Sequence, residues 1–241
     1  MIKEGSVAHK ILEFNLTLSE QLLEVPQGYK IINPFNSSSK DQVKRITTLF
    51  YQKYYNDNKM RRLILGSSPA RRGTAVTGIP FEDAAHIQTE TGIVIDNFYV
   101  NKGSSNFLYE VMNKYGGCSK FYDDFLMSFV CPLGIARISS KGNEVNCNYY
   151  ENKKLEKMLY PFILESLHKQ INFNIDTSVC YCIGSGENYK FLLEVNKKYH
   201  LFGTIIPLEH PRFIMQYNSK NKDTFLKKYL NALNYKKLDR R

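Results

Sequence analysis

Short unbroken apolar runs alternate along this chain with longer stretches in which apolar side chains recur every three to four residues. Leu63-Ile64-Leu65, Phe125 to Cys131, Val179 to Ile183 and Thr204 to Leu208 are the short runs, closed by Gly66, by Pro132 and Gly134, by Gly184 and by Pro211. Runs of this length between breakers predict strands buried on both faces, as in a parallel sheet. The intervening stretches have the helical period. They are Ser6 to Leu23; Ser37, Ser38 or Ser39 to Asn56; Glu82 to Thr89, opened by Pro80 and stopped by Gly92; Ser104 to Tyr115, ended by Gly116-Gly117; Asn152 to Ile171; the segment capped by Ser185 that carries Phe191, Leu192 and Val195; and a basic segment from Lys222 to Asn231. Tyr29 to Phe35 predicts a short extended piece stopped at Pro34, and Asn143 to Tyr150 a small hairpin arm.

Strand and helix in alternation predict an α/β fold: a three-layer α/β/α sandwich around a central, mainly parallel four-stranded sheet, with right-handed crossovers. No low-complexity linker divides the 241 residues, so residues 1–241 form one domain. In such a sheet the loops that follow the strands share one edge, where open α/β sheets bind their ligands. That edge gathers Gly66 to Phe81, Ser128 to Cys131, Gly184 to Asn188 and His210 to Gln216 into one cleft.

Composition narrows the partner. Hydrophobic residues make up 43% of the chain, as in an ordinary globular protein. The 33 Lys and Arg outnumber the 23 Asp and Glu, giving a formal net charge of +10. A surplus of that size fits a polyanion, whose phosphates give up counterions on binding; lysines spread evenly over a soluble protein are the bland alternative. No stretch of about 18 apolar residues and no signal-like start is present, so the expectation is a soluble intracellular protein with no membrane partner. Five scattered cysteines, with Cys180 and Cys182 inside an apolar run, read as buried free thiols rather than as a disulfide framework or metal site.

The first strand–loop junction carries the chemistry. Gly66-Ser67-Ser68-Pro69-Ala70 is superficially a nucleophile elbow with His210 downstream. Pro69 argues against that, because the oxyanion hole of that arrangement uses the N–H of the residue after the nucleophile and proline has none. No Gly-Lys-Ser/Thr follows, so this is not a Walker loop. Phe81 offers either a hydrophobic staple or a ring to stack on a nucleobase, and Arg71 and Arg72 beside it are suited to phosphate. The remaining histidines, His9, His86, His168 and His200, have no evident partners in the pattern.

Taken together, these residues resemble the uracil-DNA glycosylase superfamily, most closely the bacterial relatives of its single-strand-selective monofunctional branch. Gly66-Ser67-Ser68-Pro69-Ala70 is similar to the family's Gly-x-(Asn/Asp)-Pro-Gly, Thr77-Gly78-Ile79-Pro80-Phe81 to its Thr-Gly-x-Pro-Phe, and His210-Pro211-Arg212 to the start of His-Pro-Ser-Pro-Arg. Val130-Cys131-Pro132-Leu133 matches the strand end that supplies base-reading groups, and the likeness spans about residues 60 to 235. The resemblance implies hydrolysis of the N-glycosidic bond of uracil or a related damaged pyrimidine in DNA, by base flipping, with no metal, no cofactor and no covalent intermediate. It implies catalytic roles for Ser68 and His210. Substrate contacts would come from Gly66, Ser67, Pro69, Phe81, Ser128 and Phe129, and DNA contacts from Arg71, Arg72, Arg212, Phe213 and Gln216. It further implies a monomer acting at the nucleoid.

The sequence departs from the family at four places. Ser68 stands where Asn or Asp is usual, Ala70 replaces Gly, Phe129 occupies the base-reading Asn position, and Arg212-Phe213 replaces Ser-Pro. A catalytically weak member that binds damaged or single-stranded DNA is the alternative these departures raise. A serine hydrolase would instead be labelled at Ser68 by a fluorophosphonate, and no labelling is expected.

Overall fold

The computed structural model describes residues 1–71, 73–95 and 104–234. The chain runs α1 (Val7–Ser19), β1 (Tyr29–Ile32), α2 (Lys40–Tyr55), β2 (Arg61–Gly66), α3 (Thr74–Thr77), α4 (Ala84–Thr91), α5 (Ser104–Tyr115) and α6 (Cys118–Asp124). It continues through β3 (Phe125–Phe129), β4 (Gly134–Ile138), β5 (Glu144–Cys147), α7 (Lys153–Ile171), β6 (Ile175–Ile183), α8 (Glu187–Tyr199), β7 (Thr204–Leu208), α9 (Pro211–Tyr217) and α10 (Lys222–Leu233). The four apolar runs are the four strands of a central parallel sheet in the order β3-β2-β6-β7, flanked by helices.

Burial drives this arrangement. Leu63, Ile64 and Leu65 of the middle strand β2 are at most 2% exposed. At about 1.5–3 kcal/mol for each fully buried aliphatic side chain, these three alone contribute on the order of a domain's net stability. On the Ile64 side, Met127, Ile183 and Leu208 meet Leu108 and Val111 of α5, Phe121 of α6 and Tyr229 and Leu233 of α10. At the amino end of β2 the buried Arg61 guanidinium is fully occupied. It donates to the Tyr122, Tyr54 and Lys59 carbonyls, pairs with Asp57 at 2.8 Å, and lies 4.7 Å from the centre of the Tyr55 ring.

The register brings the carboxyl ends of the strands level. Leu65 lies between Ser128 and Cys182, Gly66 beside Phe129, and Ile183 beside Leu208. Pairing continues past β3, where Val130 and Cys131 donate to the Gly66 and Ser67 carbonyls at 2.8 and 2.9 Å. Gly184 likewise donates to the Leu208 carbonyl at 2.8 Å. The post-strand loops therefore leave one edge of the sheet.

Several elements depart from the periodicity. Gly134 to Ile138 is a strand that pairs antiparallel with both β1 and β5, making a second, three-stranded sheet of which the 143–150 hairpin is one arm. Its glycine and charged Arg137 hide the alternation. Ser185 does not cap α8; Gly186 holds that position with no side-chain cap. Ser39 holds the N-cap position of α2 but makes no cap hydrogen bond from its side chain, while its own N–H donates to Ser37 Oγ. The helix expected from Glu82 starts at Ala84, with Asp83 as its cap accepting from the His86 N–H at 2.9 Å. Asn152 does cap α7, accepting from Lys154 and Leu155.

Candidate active site

The loop after β2 is clasped by the β4–β5 hairpin. Ser67, 8% exposed, donates from Oγ to Asn148 Oδ1 at 2.7 Å, and half-buried Ser68 donates to the same oxygen at 3.3 Å. Asn146 Oδ1 takes the Arg71 N–H at 3.0 Å. The Pro69 carbonyl reaches the sheet at Gly134, where a Cβ would sit 2.9 Å from its oxygen, so glycine is needed for that approach. Asn148 is itself fixed, because its backbone N–H and Nδ2 both donate to Glu151 Oε1, at 2.8 and 3.0 Å. The Asn-x-x-Glu spacing signals such a cap. Nothing in the sequence signals that the amide also holds the two serines.

Phe81 stands in the left-handed region at φ 63°, uncommon for a bulky residue and a mark of backbone held by its surroundings. Its ring stacks on Phe129, with centroids 5.1 Å apart and planes inclined by 25°. Behind it, Thr77 Oγ1 donates to the Glu82 carbonyl at 3.2 Å. The buried Glu82 carboxylate accepts from the Tyr109 and Tyr122 hydroxyls. Burial and then the Glu82 charge hold both hydroxyls far above the ordinary tyrosine range. Burial also pushes the Asp83 carboxyl upward, but the neighbouring Ser105 hydroxyl and the His86 N–H and ring outweigh it and leave the group below the usual carboxylate range. His86, set aside on sequence alone, pairs with Asp83 at 2.7 Å and stacks on Tyr109 at 4.0 Å.

Ser128 and Phe129 line a cavity of about 30 Å³ with Thr74, Gly78, Pro80 and Pro132. That is room for a water or two rather than a nucleobase. With Phe129 in the place of an amide, no side chain at that position can read a base edge by hydrogen bonding.

His210 follows β7 and caps α9. Its Nδ1 accepts the Arg212 N–H at 3.1 Å, so in the neutral ring the proton sits on Nε2, which is left as a donor. The residue is exposed, yet desolvation by surrounding protein, and after it the Arg212 guanidinium, lower its pKa from the usual histidine value. Arg212 and Gln216, both exposed, are joined at 3.0 Å between Nε and Oε1. Phe213 is 46% exposed beside Tyr217, which is 69% exposed.

The register thus sets Ser68, Phe81, Phe129 and His210 on one edge of the sheet and joins the first three through the β2 and β3 ends. Among the described residues no hydrogen bond or ring contact links His210 to Ser68 or Phe81. Arg72 lies outside the described residues. Among those described, no three His, Cys, Asp or Glu side chains are grouped to hold a metal. Cys180 and Cys182 are free and buried, and burial pushes the Cys131 and Cys182 thiols to about 12. No helix among the described residues is long and apolar enough to cross a membrane.

The sequence pattern of the family described as Uracil DNA glycosylase superfamily matches residues 52–234, a span that contains every element of this edge. The crystal structure of wild-type Pedobacter heparinus SMUG2 is similar over 95% of this chain and 97% of its own, at 44% identity and a TM-score of 0.90. No curated protein matches the chain. The chain belongs to the uracil DNA glycosylase superfamily.

Proposed function

We propose that this DNA repair glycosylase hydrolyses the bond between deoxyribose and uracil, or a related damaged pyrimidine, using Ser68 to orient water and His210 to stabilise the departing base. The target nucleotide leaves the stack at a cost of a few kcal/mol, which phosphate contacts and stacking on Phe81 offset. As the C1′–N1 bond breaks, its electron pair moves onto the pyrimidine and charge grows on the ring oxygen nearest N1. A neutral His210 with its proton on Nε2 is a donor suited to that oxygen, and one such preorganised donor is worth about 3 kcal/mol. Water adds its oxygen to C1′, and its proton ends on the released base. Ser68 has no carboxylate, so it directs the water rather than deprotonating it.

The observation that carries this reading is that a serine loop and an aromatic at the end of β2 share a sheet edge with a histidine at the end of β7 whose Nδ1 accepts the Arg212 N–H. Arg71, Arg212, Phe213 and Gln216 form the DNA-facing rim, consistent with the net charge of +10. The protein acts as a monomer in the cytoplasm, at the nucleoid.

A panel of oligonucleotides, each bearing one lesion in single- or double-stranded form, tests the reading by abasic-site detection. Abasic product from uracil-containing strands is expected. Tight binding with no abasic product even at large enzyme excess would replace it with that of a DNA-binding, catalytically silent member.

A further inference from the structure

The acceptor shared by Ser67 and Ser68 has no counterpart in the motifs that mark this site. Asn148 comes from the β5 hairpin, 80 residues from Ser68, and its carboxamide cannot be turned over. Nδ2 is committed to Glu151 and Oδ1 faces both serine hydroxyls. A hydroxyl has one proton to give and two lone pairs to offer. Once Ser68 has given its proton to Asn148, both lone pairs remain for a water, which must then point its hydrogens at Ser68 and its own lone pair outward.

We infer that Asn148 is the positioning residue for the attacking water, supplying through Ser68 the amide that the family otherwise carries in the loop itself. The inference rests on the water-orienting role proposed for Ser68. The negative Glu151 carboxylate polarises the amide, which strengthens Oδ1 as an acceptor and in turn makes Ser68 Oγ a better one. Ser67 serves as a brace: its shorter bond to Oδ1 keeps the loop from drifting away from the hairpin. Asn148 touches neither base nor sugar in this scheme and gains no proton at any step.

A purely structural role, capping the short turn at Tyr149–Glu151, predicts different behaviour. Serine caps as well as asparagine but is too short to reach across to Ser67 and Ser68. Asn148→Ser should therefore keep the turn and lose the relay. Single-turnover cleavage of a uracil-containing single strand at saturating enzyme is expected to slow by about 10²-fold, with the dissociation constant for DNA unchanged. Asn148→Asp restores an acceptor but sets a second carboxylate beside Glu151, which raises its pKa. It is expected to recover most of the rate at high pH and to add an acidic limb that the wild type lacks.

A wild-type single-turnover rate for Asn148→Ser, or a loss confined to DNA affinity, overturns the inference. If Asn148→Ser melts well below the wild type, the pH profile of Asn148→Asp decides: a new acidic limb supports the assignment and its absence defeats it. Ser68→Ala separates the two levels. An unimpaired Ser68→Ala removes the role of Ser68 and Asn148's with it, whereas an impaired Ser68→Ala alongside an unimpaired Asn148→Ser removes Asn148 alone.

Discussion

Phe81 and Phe129 stack directly over Gly66, and a Cβ at Gly66 would lie 2.4 Å from Phe81 Cζ and 3.0 Å from Phe129 Cδ1. The glycine of the family pattern is thus required here by two rings rather than by its own φ. In the proposed reading both rings belong to the substrate side of the site, so the space left by the missing Cβ would fix where a base stacks.

Gly66→Ala should act through those rings. The nearest atom is the far end of a side chain, so Phe81 can swing aside and the protein should still fold, losing about 1–3 kcal/mol as for other overpacked sites. Cleavage of uracil-containing DNA should fall by much more than the stability loss accounts for, mainly as a raised KM. Urea unfolding measured beside steady-state kinetics checks both halves.

Glu82 holds Phe81 from behind through its main chain, and Tyr109 and Tyr122 hold Glu82. Tyr109→Phe and Tyr122→Phe each take one donor from a buried carboxylate, at a cost of about 1–3 kcal/mol. The double variant should depart from the sum of the singles because both hydroxyls serve one group. Chemical denaturation of the four proteins in the cycle measures the coupling, and a strictly additive result would mean the hydroxyls act separately.

Much of this was written in the chain. The four strands of the central sheet came from unbroken apolar runs, which mark strands covered on both faces, and even the half-buried edge strand Thr204–Leu208 matched to the residue. The loop residues Ser68 and Phe81 and the cap residue His210 stood out because breakers bracket them. What the pattern hid was long-range. Gly134–Ile138 mixes a glycine, an alanine, two isoleucines and an arginine, so its strand character exists only once β1 and β5 flank it. Asn148 shows as a cap and nothing more, since its contact with Ser67 and Ser68 spans some 80 residues. Glu82 and Asp83 read as acids at a helix start. Asp83 is one, whereas Glu82 is buried beneath the site because two tyrosines from α5 and α6 converge on it.

His210 carries a pH dependence whose sign follows from its lowered pKa. Below that value Nδ1 gains a proton, and a ring donating at both nitrogens can no longer accept the Arg212 N–H, so α9 loses its cap. A group depressed in the folded state contributes stability that is complete above the unfolded value, near 6.5, and is lost as pH falls below it toward the folded pKa. Thermal melting across that acidic range should show the decline, and His210→Gln, which does not titrate, should lack this component. His210→Ala should lower single-turnover cleavage by about 10²–10³-fold at neutral pH.

The exposed end of α9 makes a separable claim about DNA. Arg212 is exposed and tethered to Gln216, and in the proposed reading a guanidinium so placed would neutralise one phosphate and release its counterion. Arg212→Ala should weaken binding to all sequences alike and reduce the slope of log K against log salt by about one. Phe213 is 46% exposed and carries no charge, so Phe213→Ala should leave that slope untouched while costing about 1–3 kcal/mol, the worth of one stacked base. Fluorescence anisotropy with a labelled oligonucleotide over a salt series gives slope and intercept together. If Phe213→Ala changed only the slope, or Arg212→Ala only the intercept, the division of labour between ring and guanidinium would be reversed, and α9 would not be the element that grips the strand.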